Sequence, residues 1–216
     1  MTIGIVVFPN SHYDQDVHWA LEGCLGIATR FVWYNESNLN GLSAIILSGG
    51  LNYSDCLDCK ITSRPMPILQ GINTFAQLGG KILGICYGFQ ILTRMRLLPG
   101  CLVQNQNLHF ICQSSELRVQ NTQSSWMKNY ISGETISLPI AHQKGRYYCD
   151  QDDYKRLKDQ GSIVLTYTEN LTGSMKGIAG ITNTKGNILG LIPHPERACD
   201  PITGSIDGRR LLLSLA

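Results

Sequence analysis

The chain of 216 residues has no long hydrophobic run, no run of basic residues and no Pro- or Ser-rich linker. A membrane-spanning helix needs about 20 consecutive apolar residues, so the sequence predicts no span. The formal net charge is only +2, from 18 basic and 16 acidic residues, which argues against nucleic acid as an obligate partner. With 43% hydrophobic residues and no linker, we expect one sizeable core and a single domain over residues 2–216.

The N-terminal segment lacks a basic region ahead of its short apolar run, Ile3 to Phe8, and so does not resemble a secretory signal. We therefore expect a cytoplasmic protein, or a stromal one if a plastid encodes it. Eight cysteines in a chain of this length do not indicate a disulfide scaffold. Cys56 and Cys59 have CxxC spacing, but no second pair or HxxxH completes a zinc set, and we predict no metal site.

One cysteine stands in a pattern that indicates chemistry. The apolar run Lys81 to Ile85 ends at Cys86, which has Gly84 and Gly88 two residues away on either side, and helix-forming sequence follows. This is the G-x-nucleophile-x-G elbow, whose tight turn needs small neighbours. The first turn of the following helix favours a thiolate over a thiol. A free cysteine in an apolar run is more often a buried hydrophobe, so the motif needs a base elsewhere.

The candidate base is His194, which lies between two prolines after the strand-like run Ile188 to Ile192. Proline favours extended geometry in the residue before it, and extended side chains at i and i+2 point the same way. We therefore expect Glu196 to hydrogen-bond one imidazole nitrogen and leave the other facing the thiol. The alternative is a surface turn with a capping histidine.

A glycine pair follows a third strand-like run, Ala44 to Leu47. Glycines there allow backbone N–H groups to turn inward and approach a ligand closely. Amides near Gly50 and at Tyr87 are thus candidates for an oxyanion hole. Taken alone, the glycine pair is more simply an ordinary turn at the end of a strand.

Short apolar runs alternate with stretches of helical period through the first half of the chain. Strands are predicted at Ile3–Phe8, Phe31–Tyr34, Ala44–Leu47 and Lys81–Ile85, with helices at Asp14–Thr29 and Pro67–Gln77. This order predicts an α/β fold: a doubly wound, mostly parallel sheet with helices on both faces. In the C-terminal half, strands at Ile136–Ala141, Ser162–Thr168, Gly177–Thr182 and Ile188–Leu191 predict some antiparallel pairing, followed by a closing helix from Asp207.

Taken together, the strand-Gly-Gly, G-x-C-x-G-x-Q and H-P-E motifs resemble those of the class I, or triad-type, glutamine amidotransferases, which have a flavodoxin-like fold. Within them, the chain is similar over nearly its whole length to the glutaminase subunits of phosphoribosylformylglycinamidine synthases. The stretches that narrow the resemblance to these subunits are Leu138-Pro139-Ile140-Ala141-His142, Gly145-Arg146-Tyr147-Tyr148 and Asp207-Gly208-Arg209-Arg210-Leu211.

The resemblance implies an enzyme that hydrolyses glutamine through a γ-glutamyl thioester on Cys86 and supplies ammonia for purine biosynthesis. Gln90, one helical turn beyond the nucleophile, is a candidate for holding the amino-acid end of the substrate. The chain has no P-loop, so we expect no cofactor in it. The resemblance places ATP and Mg²⁺ in a large synthetase subunit, which works with a small third subunit and converts formylglycinamide ribonucleotide to the amidine.

Two segments depart from the family pattern. Asn10 to Asp14 replaces a usual Gly-Ser-Asn-Cys-Asp, and Leu51 to Asp58 replaces a usual Phe-Ser-Tyr-Gly-Asp-Tyr-Leu-Arg. Both segments change residues that the resemblance assigns to the rim of the substrate pocket and to the contacts with partner subunits. Two alternatives remain open: a glutaminase that serves another synthetase, and a catalytically silent module of the same fold.

Overall fold

The structure, a computed structural model, describes residues 1–9, 11–50 and 66–216. The strands within these residues are β1 (Ile3–Val7), β2 (Thr29–Trp33), β3 (Ala44–Leu47), β4 (Lys81–Ile85), β5 (Cys101–Val103), β6 (Ile111–Val119), β7 (Thr135–His142), β8 (Arg146–Tyr148), β9 (Ile163–Tyr167), β10 (Ile178–Thr182) and β11 (Ile188–Leu191). The α-helices are α1 (Asp14–His18), α2 (Pro67–Gln77), α3 (Tyr87–Arg94), α4 (Gln151–Asp159) and α5 (Arg209–Leu213).

Nine of these strands form one sheet, in the order β2-β1-β3-β4-β11-β10-β9-β6-β7. The first five are parallel to one another. Every residue of β1, β3 and β11 is buried, which requires cover on both faces and explains why these strands are continuous apolar runs. The predicted α/β fold is confirmed.

The remaining strands pair antiparallel, from β11 through β10, β9 and β6 to β7. The antiparallel strands predicted for the C-terminal half are therefore present, and they make up as much of the sheet as the parallel part. The largest addition is β6, which the sequence analysis did not predict. Its burial alternates, with Leu117 and Val119 buried and Glu116 and Arg118 exposed, and this alternation was the available signal.

The first predicted helix, Asp14 to Thr29, extends too far. The α-helix passes into a π-helical turn at Trp19–Gly23, and Gly26 then adopts a φ of 66°, which ends the helix in the way common for glycine. Thr29 already belongs to β2, and its backbone N–H donates to the carboxylate of Glu22. By contrast, α2 has the predicted bounds, with a proline in its first turn.

A short ribbon of β5 and β8 lies beside the sheet and was not predicted. It packs on α3 through Phe89 and Tyr147, whose rings stack with centroids 5.6 Å apart. The helix α4 was also missed, although Asp150 caps it by accepting from the N–H of Asp153. The closing helix predicted from Asp207 begins at Arg209.

We predict that Leu83→Ala, in the centre of the parallel sheet, lowers the free energy of unfolding by about 2–5 kcal/mol, because a fully buried leucine leaves a cavity. The matched control is Leu78→Ala, since Leu78 is 82% exposed and surface changes stay within about 0.5 kcal/mol. Chemical denaturation of both variants measures the difference. Equal losses would contradict this account of the core.

Candidate active site

The site begins at the turn between β4 and α3. Cys86 has φ 51° and ψ −100°, a conformation that costs a non-glycine residue about 1–3 kcal/mol and persists only where the surroundings enforce it. Here its backbone N–H donates to the carbonyl of Leu191, at 2.7 Å. The neighbouring strand β11 therefore helps to hold the strained residue, and the elbow predicted from the sequence is present.

The two glycines of the elbow are required by space. A Cβ at Gly88 would lie 2.0 Å from the carbonyl oxygen of Leu47, and a Cβ at Gly84 would lie 2.8 Å from the carbonyl carbon of Gly88. Both distances are far below contact distance. The small residues therefore allow α3 to cross closely over the ends of β3 and β4.

His194 follows β11 by three residues, beside the elbow that follows β4. Its side chain has no exposed surface, and its Nδ1 lies 2.6 Å from Oε1 of Glu196, which is also buried. The expected contact is therefore present, but the expected extended backbone is wrong. Pro195 starts a 3₁₀ turn, Pro195–Arg197, because proline suits a first helical position, and the turn brings the carboxylate back to the ring.

Electrostatics in this pair favour the imidazolium ion. Burial opposes the charge on His194, but the Glu196 carboxylate and a side-chain hydrogen bond with Cys86 outweigh it, so the pKa of His194 is raised above its ordinary value. The side chains of Cys86, His194 and Glu196 therefore lie in the order nucleophile, imidazole and carboxylate. An imidazole that holds a proton firmly beside a thiol supports the thiolate form of that thiol.

Tyr13 and Gly49 form a wall around His194 that the sequence analysis did not assign. The ring of Tyr13 lies edge-on to the imidazole, with centroids 5.5 Å apart. A Cβ at Gly49 would lie 2.7 Å from Tyr13 and 3.0 Å from Cε1 of His194. The guanidinium of Arg197 lies 4.0 Å from the Tyr13 ring centroid, and its Nη2 lies 3.2 Å from Oδ2 of Asp16. Tyr13, in the segment that departs from the family pattern, therefore places a large ring against His194.

The other predicted residues follow β3 or lie on α3. Gly50 is buried just beyond the end of β3, and Tyr87 begins α3. Gln90 is buried and its N–H donates to the carbonyl of Cys86 at 3.2 Å, which confirms the single helical turn between them. Its Oε1 makes no hydrogen bond to any residue that the structure describes. The CxxC pair and the departure at Leu51–Asp58 lie outside the described residues.

Two further buried polar residues lie near this site and were not identified from the sequence. The phenol of Tyr167 is close enough to Cys86 for the thiolate to contribute, after burial, to raising its pKa. The imidazole of His142 is fully buried, and burial together with the charge of His194 lowers its pKa to about 4. His142 was noted only as part of a family stretch, and an isolated histidine in a strand gives no signal of a site.

Within the described ranges, no group of three or more His, Cys, Asp and Glu side chains could hold a metal ion. The same part of the chain has no helix both long and apolar enough to cross a membrane.

Comparison with known proteins identifies the family. Residues 3–210 match the CobB/CobQ-like glutamine amidotransferase domain. The phosphoribosylformylglycinamidine synthase subunit PurQ of Prochlorococcus marinus (strain NATL2A) is 53% identical over 215 residues, which cover 100% of this chain and 99% of that protein. The chain belongs to the PurQ family of class I glutamine amidotransferases. It is therefore an enzyme, and the resemblance inferred from the motifs is confirmed.

Further PurQ proteins agree with this assignment. The PurQ subunit of Synechococcus sp. (strain CC9605) is also 53% identical, over 100% of this chain and 99% of its own length. Among solved structures, PurLQS from Thermotoga maritima contains a chain with a TM-score of 0.88 and 37% identity, covering 99% of this chain and 96% of that one. The chain thus shares its sequence with PurQ proteins and its fold with a chain of the PurLQS structure, each over nearly its whole length.

We predict that Glu196→Gln lowers the pKa of His194, because the neutral amide no longer supports the imidazolium while burial still opposes it. The pH titration of the ring nitrogens, followed by NMR, measures this. Glu116→Gln is the control, since Glu116 is exposed on β6, and it leaves the titration of His194 unchanged. An unchanged titration in Glu196→Gln would show that the carboxylate does not support the imidazolium.

Proposed function

We propose that this chain hydrolyses glutamine to glutamate and ammonia at Cys86 and supplies the ammonia to an ATP-dependent synthetase. The observation that carries the proposal is the strained Cys86 beside a buried His194, whose Nδ1 lies 2.6 Å from the Glu196 carboxylate. A nucleophile, a base and a group that orients the base are the parts required for covalent catalysis.

In the first half of the reaction, His194 holds the proton that the Cys86 thiol has given up, and Sγ of Cys86 attacks the side-chain amide carbon of glutamine. A carbon–sulfur bond forms and the carbonyl becomes a tetrahedral oxyanion. The carbon–nitrogen bond then breaks, and His194 gives its proton to the departing nitrogen, which leaves as ammonia. A γ-glutamyl thioester remains on Cys86.

In the second half, His194 removes a proton from water, and the resulting hydroxide attacks the thioester carbon. The carbon–sulfur bond breaks, glutamate leaves and Cys86 regains its starting form. Glu196 stays ionised throughout, because its charge fixes the ring and supports the imidazolium. Backbone N–H groups at Tyr87 and near Gly50 are our candidates for stabilising the oxyanion. Gln90, whose Oε1 makes no hydrogen bond within the described ranges, is our candidate for holding the amino-acid end of the substrate.

Two observations support a synthetase partner. The sequence has no P-loop, so ATP and Mg²⁺ belong in this proposal to the partner and no cofactor to this chain. The PurQ proteins are described as subunits of phosphoribosylformylglycinamidine synthase, and the structure from T. maritima is described as PurLQS. We assign the acceptor chemistry, formation of formylglycinamidine ribonucleotide, to a PurL-type subunit, with a PurS-type third subunit.

The proposed setting is the cytoplasm, or the stroma of a plastid. Six cysteines within the described ranges form no disulfide bond, among them the buried Cys86, Cys149 and Cys199. Free thiols in this number support a reducing compartment.

We predict that Cys86→Ala abolishes glutamine-dependent synthesis by the assembled complex and leaves ammonia-dependent synthesis intact. Only the nucleophile is removed, while the acceptor chemistry lies in the partner. Both activities are measured on one preparation, with Cys112→Ala as the control because Cys112 is an exposed free thiol. Glutamine hydrolysis near the wild-type rate in Cys86→Ala would show that another residue is the nucleophile.

We also predict that the isolated chain is a weak glutaminase and that its own synthetase activates it. Cys86 and His194 have no exposed surface. Glutamine therefore reaches them only after a nearby part of the same polypeptide moves. Gly49 and Gly50 can reorient a peptide at little steric cost, and a missing oxyanion donor costs ~10²–10³ in rate.

Steady-state ammonia release, titrated with the synthetase, measures this activation. Binding of the synthetase shifts the equilibrium between the inactive and active states of the chain by the difference between its affinities for those two states. Serum albumin at the same concentration controls for crowding. Full activity of the chain alone would disprove the gating.

A further inference from the structure

The hydroxyl group of Tyr167 is buried without a hydrogen bond. The residue is only 6% exposed, and its Oη makes no hydrogen bond to any residue that the structure describes. The buried Tyr130 and Tyr147 differ, because each donates its hydroxyl to a backbone carbonyl at 3.0 Å. Buried polar groups in folded proteins are nearly always paired, so the exception at Tyr167 calls for a reason.

The sheet brings Tyr167 to the edge at which the catalytic residues lie. β9 runs in the same direction as β11 and β4, because the single antiparallel strand β10 separates β9 from β11. Tyr167 is the last residue of β9, just as Leu191 is the last residue of β11. Tyr167 therefore ends its strand at the edge of the sheet where Cys86 follows β4.

Backbone contacts continue along this edge from the catalytic strands to Tyr167. The N–H of Ile192 donates to the carbonyl of Ala179 at 2.9 Å, and the preceding residue of β10 lies opposite Thr166. In keeping with this arrangement, burial and the charge of Cys86 raise the pKa of the Tyr167 phenol well above its ordinary value. The phenol is therefore neutral near pH 7.

The order of the strands indicates which part of the substrate lies on the side of Tyr167. In the order β3-β4-β11-β10-β9, the oxyanion donor proposed near Gly50 follows β3, on one side of Cys86. His194 and Tyr167 follow strands on the other side. The oxygen of the attacked amide points to the oxyanion donors, and its nitrogen must face His194 to receive a proton. The nitrogen is thus the reacting atom on the side of Tyr167.

We propose that Tyr167 is a further catalytic residue, whose phenol oxygen accepts a hydrogen bond from the side-chain NH₂ group of glutamine. This inference rests on the proposed function. An amide nitrogen donates hydrogen bonds and does not accept them, so the phenol oxygen is the acceptor. In the tetrahedral intermediate, this bond turns the lone pair of the nitrogen toward His194. The proton from His194 then makes the nitrogen positively charged, which strengthens the bond before ammonia leaves.

The test is Tyr167→Phe, assayed in the complex with the synthetase. Only the hydroxyl is removed, and the ring keeps its place in the core. Each enzyme is assayed with glutamine and with the γ-methyl ester of glutamate, which forms the same thioester on Cys86 but has no N–H group on its leaving atom. The matched control is Tyr130→Phe, which removes a buried hydroxyl whose partner is the backbone carbonyl of Asp207.

The expected result is a loss that depends on the leaving group. Tyr167→Phe lowers kcat/KM for glutamine by about 10- to 100-fold, the range for a hydrogen bond to a charged group. The loss appears in kcat, because the bond is strongest when the nitrogen gains its proton. For the methyl ester, kcat/KM stays within about threefold of wild type, since the N–H partner is already absent. Tyr130→Phe behaves as wild type with both compounds.

Thermal unfolding of the two variants separates catalysis from packing. Tyr130→Phe lowers the melting temperature, because it breaks a hydrogen bond and leaves a carbonyl unpaired. Tyr167→Phe does not lower it, because the hydroxyl has no bond to lose within the described ranges. A fall in Tyr167→Phe as large as that in Tyr130→Phe would show that the hydroxyl is structural and would refute the proposal.

Equal losses on glutamine and the ester, or no loss on glutamine, would also overturn the role of Tyr167. A wild-type complex that hydrolyses neither compound would contradict the proposed function itself, so the two failures are distinguishable. If Tyr167→Phe fails to fold, ¹³C NMR of the Cys86→Ala chain with its synthetase, labelled at Cζ of tyrosine, gives the answer. Glutamine shifts the Tyr167 resonance more than the ester does; equal shifts would refute the contact.

Discussion

The pairing of β4 with β11 is the constraint on which the site depends. These strands are parallel neighbours, with Ile85 opposite Leu191, so the residues that follow them leave the sheet side by side. The N–H of Cys86 then donates to the carbonyl of Leu191, and His194 follows three residues later. Two segments far apart in sequence thus meet because of a register set by buried strands. The active-site geometry is a consequence of the sheet.

Burial decides the electrostatics of the site. His194 and Glu196 have no exposed side-chain surface, and an ion pair removed from water is stable only when its hydrogen bonds are good. Their contact is short, and it supports a charged ring against the cost of burial. His142 is also buried but has Asn105 in place of a carboxylate, and it stays neutral. The two histidines therefore differ in charge because the Glu196 carboxylate supports the imidazolium of His194, whereas burial and the charge of His194 lower the pKa of His142.

The sequence predicts the parts of the molecule whose signals are local. The parallel strands, the helix α2 and the elbow at Cys86 follow from apolar runs, a proline and closely spaced glycines, and the structure has them. The contact between His194 and Glu196 is present, but it was expected from an extended backbone. A 3₁₀ turn brings the two side chains together instead. Tyr13 and His142 were missed since their positions depend on which strands are neighbours, and β6 was missed because half of its residues are polar and exposed. The roles of Gly50, Tyr87 and Gln90 stay predictions.

The central claim is that Cys86 is the nucleophile activated by His194, and one labelling experiment tests it most directly. A diazo-ketone that mimics glutamine is added to the complex with the synthetase, and the eight cysteines are compared by peptide mapping. The account predicts modification at Cys86 alone, protection by glutamine, and loss of labelling in His194→Ala. Labelling at another cysteine, or none in a complex that makes the amidine from glutamine, would contradict it.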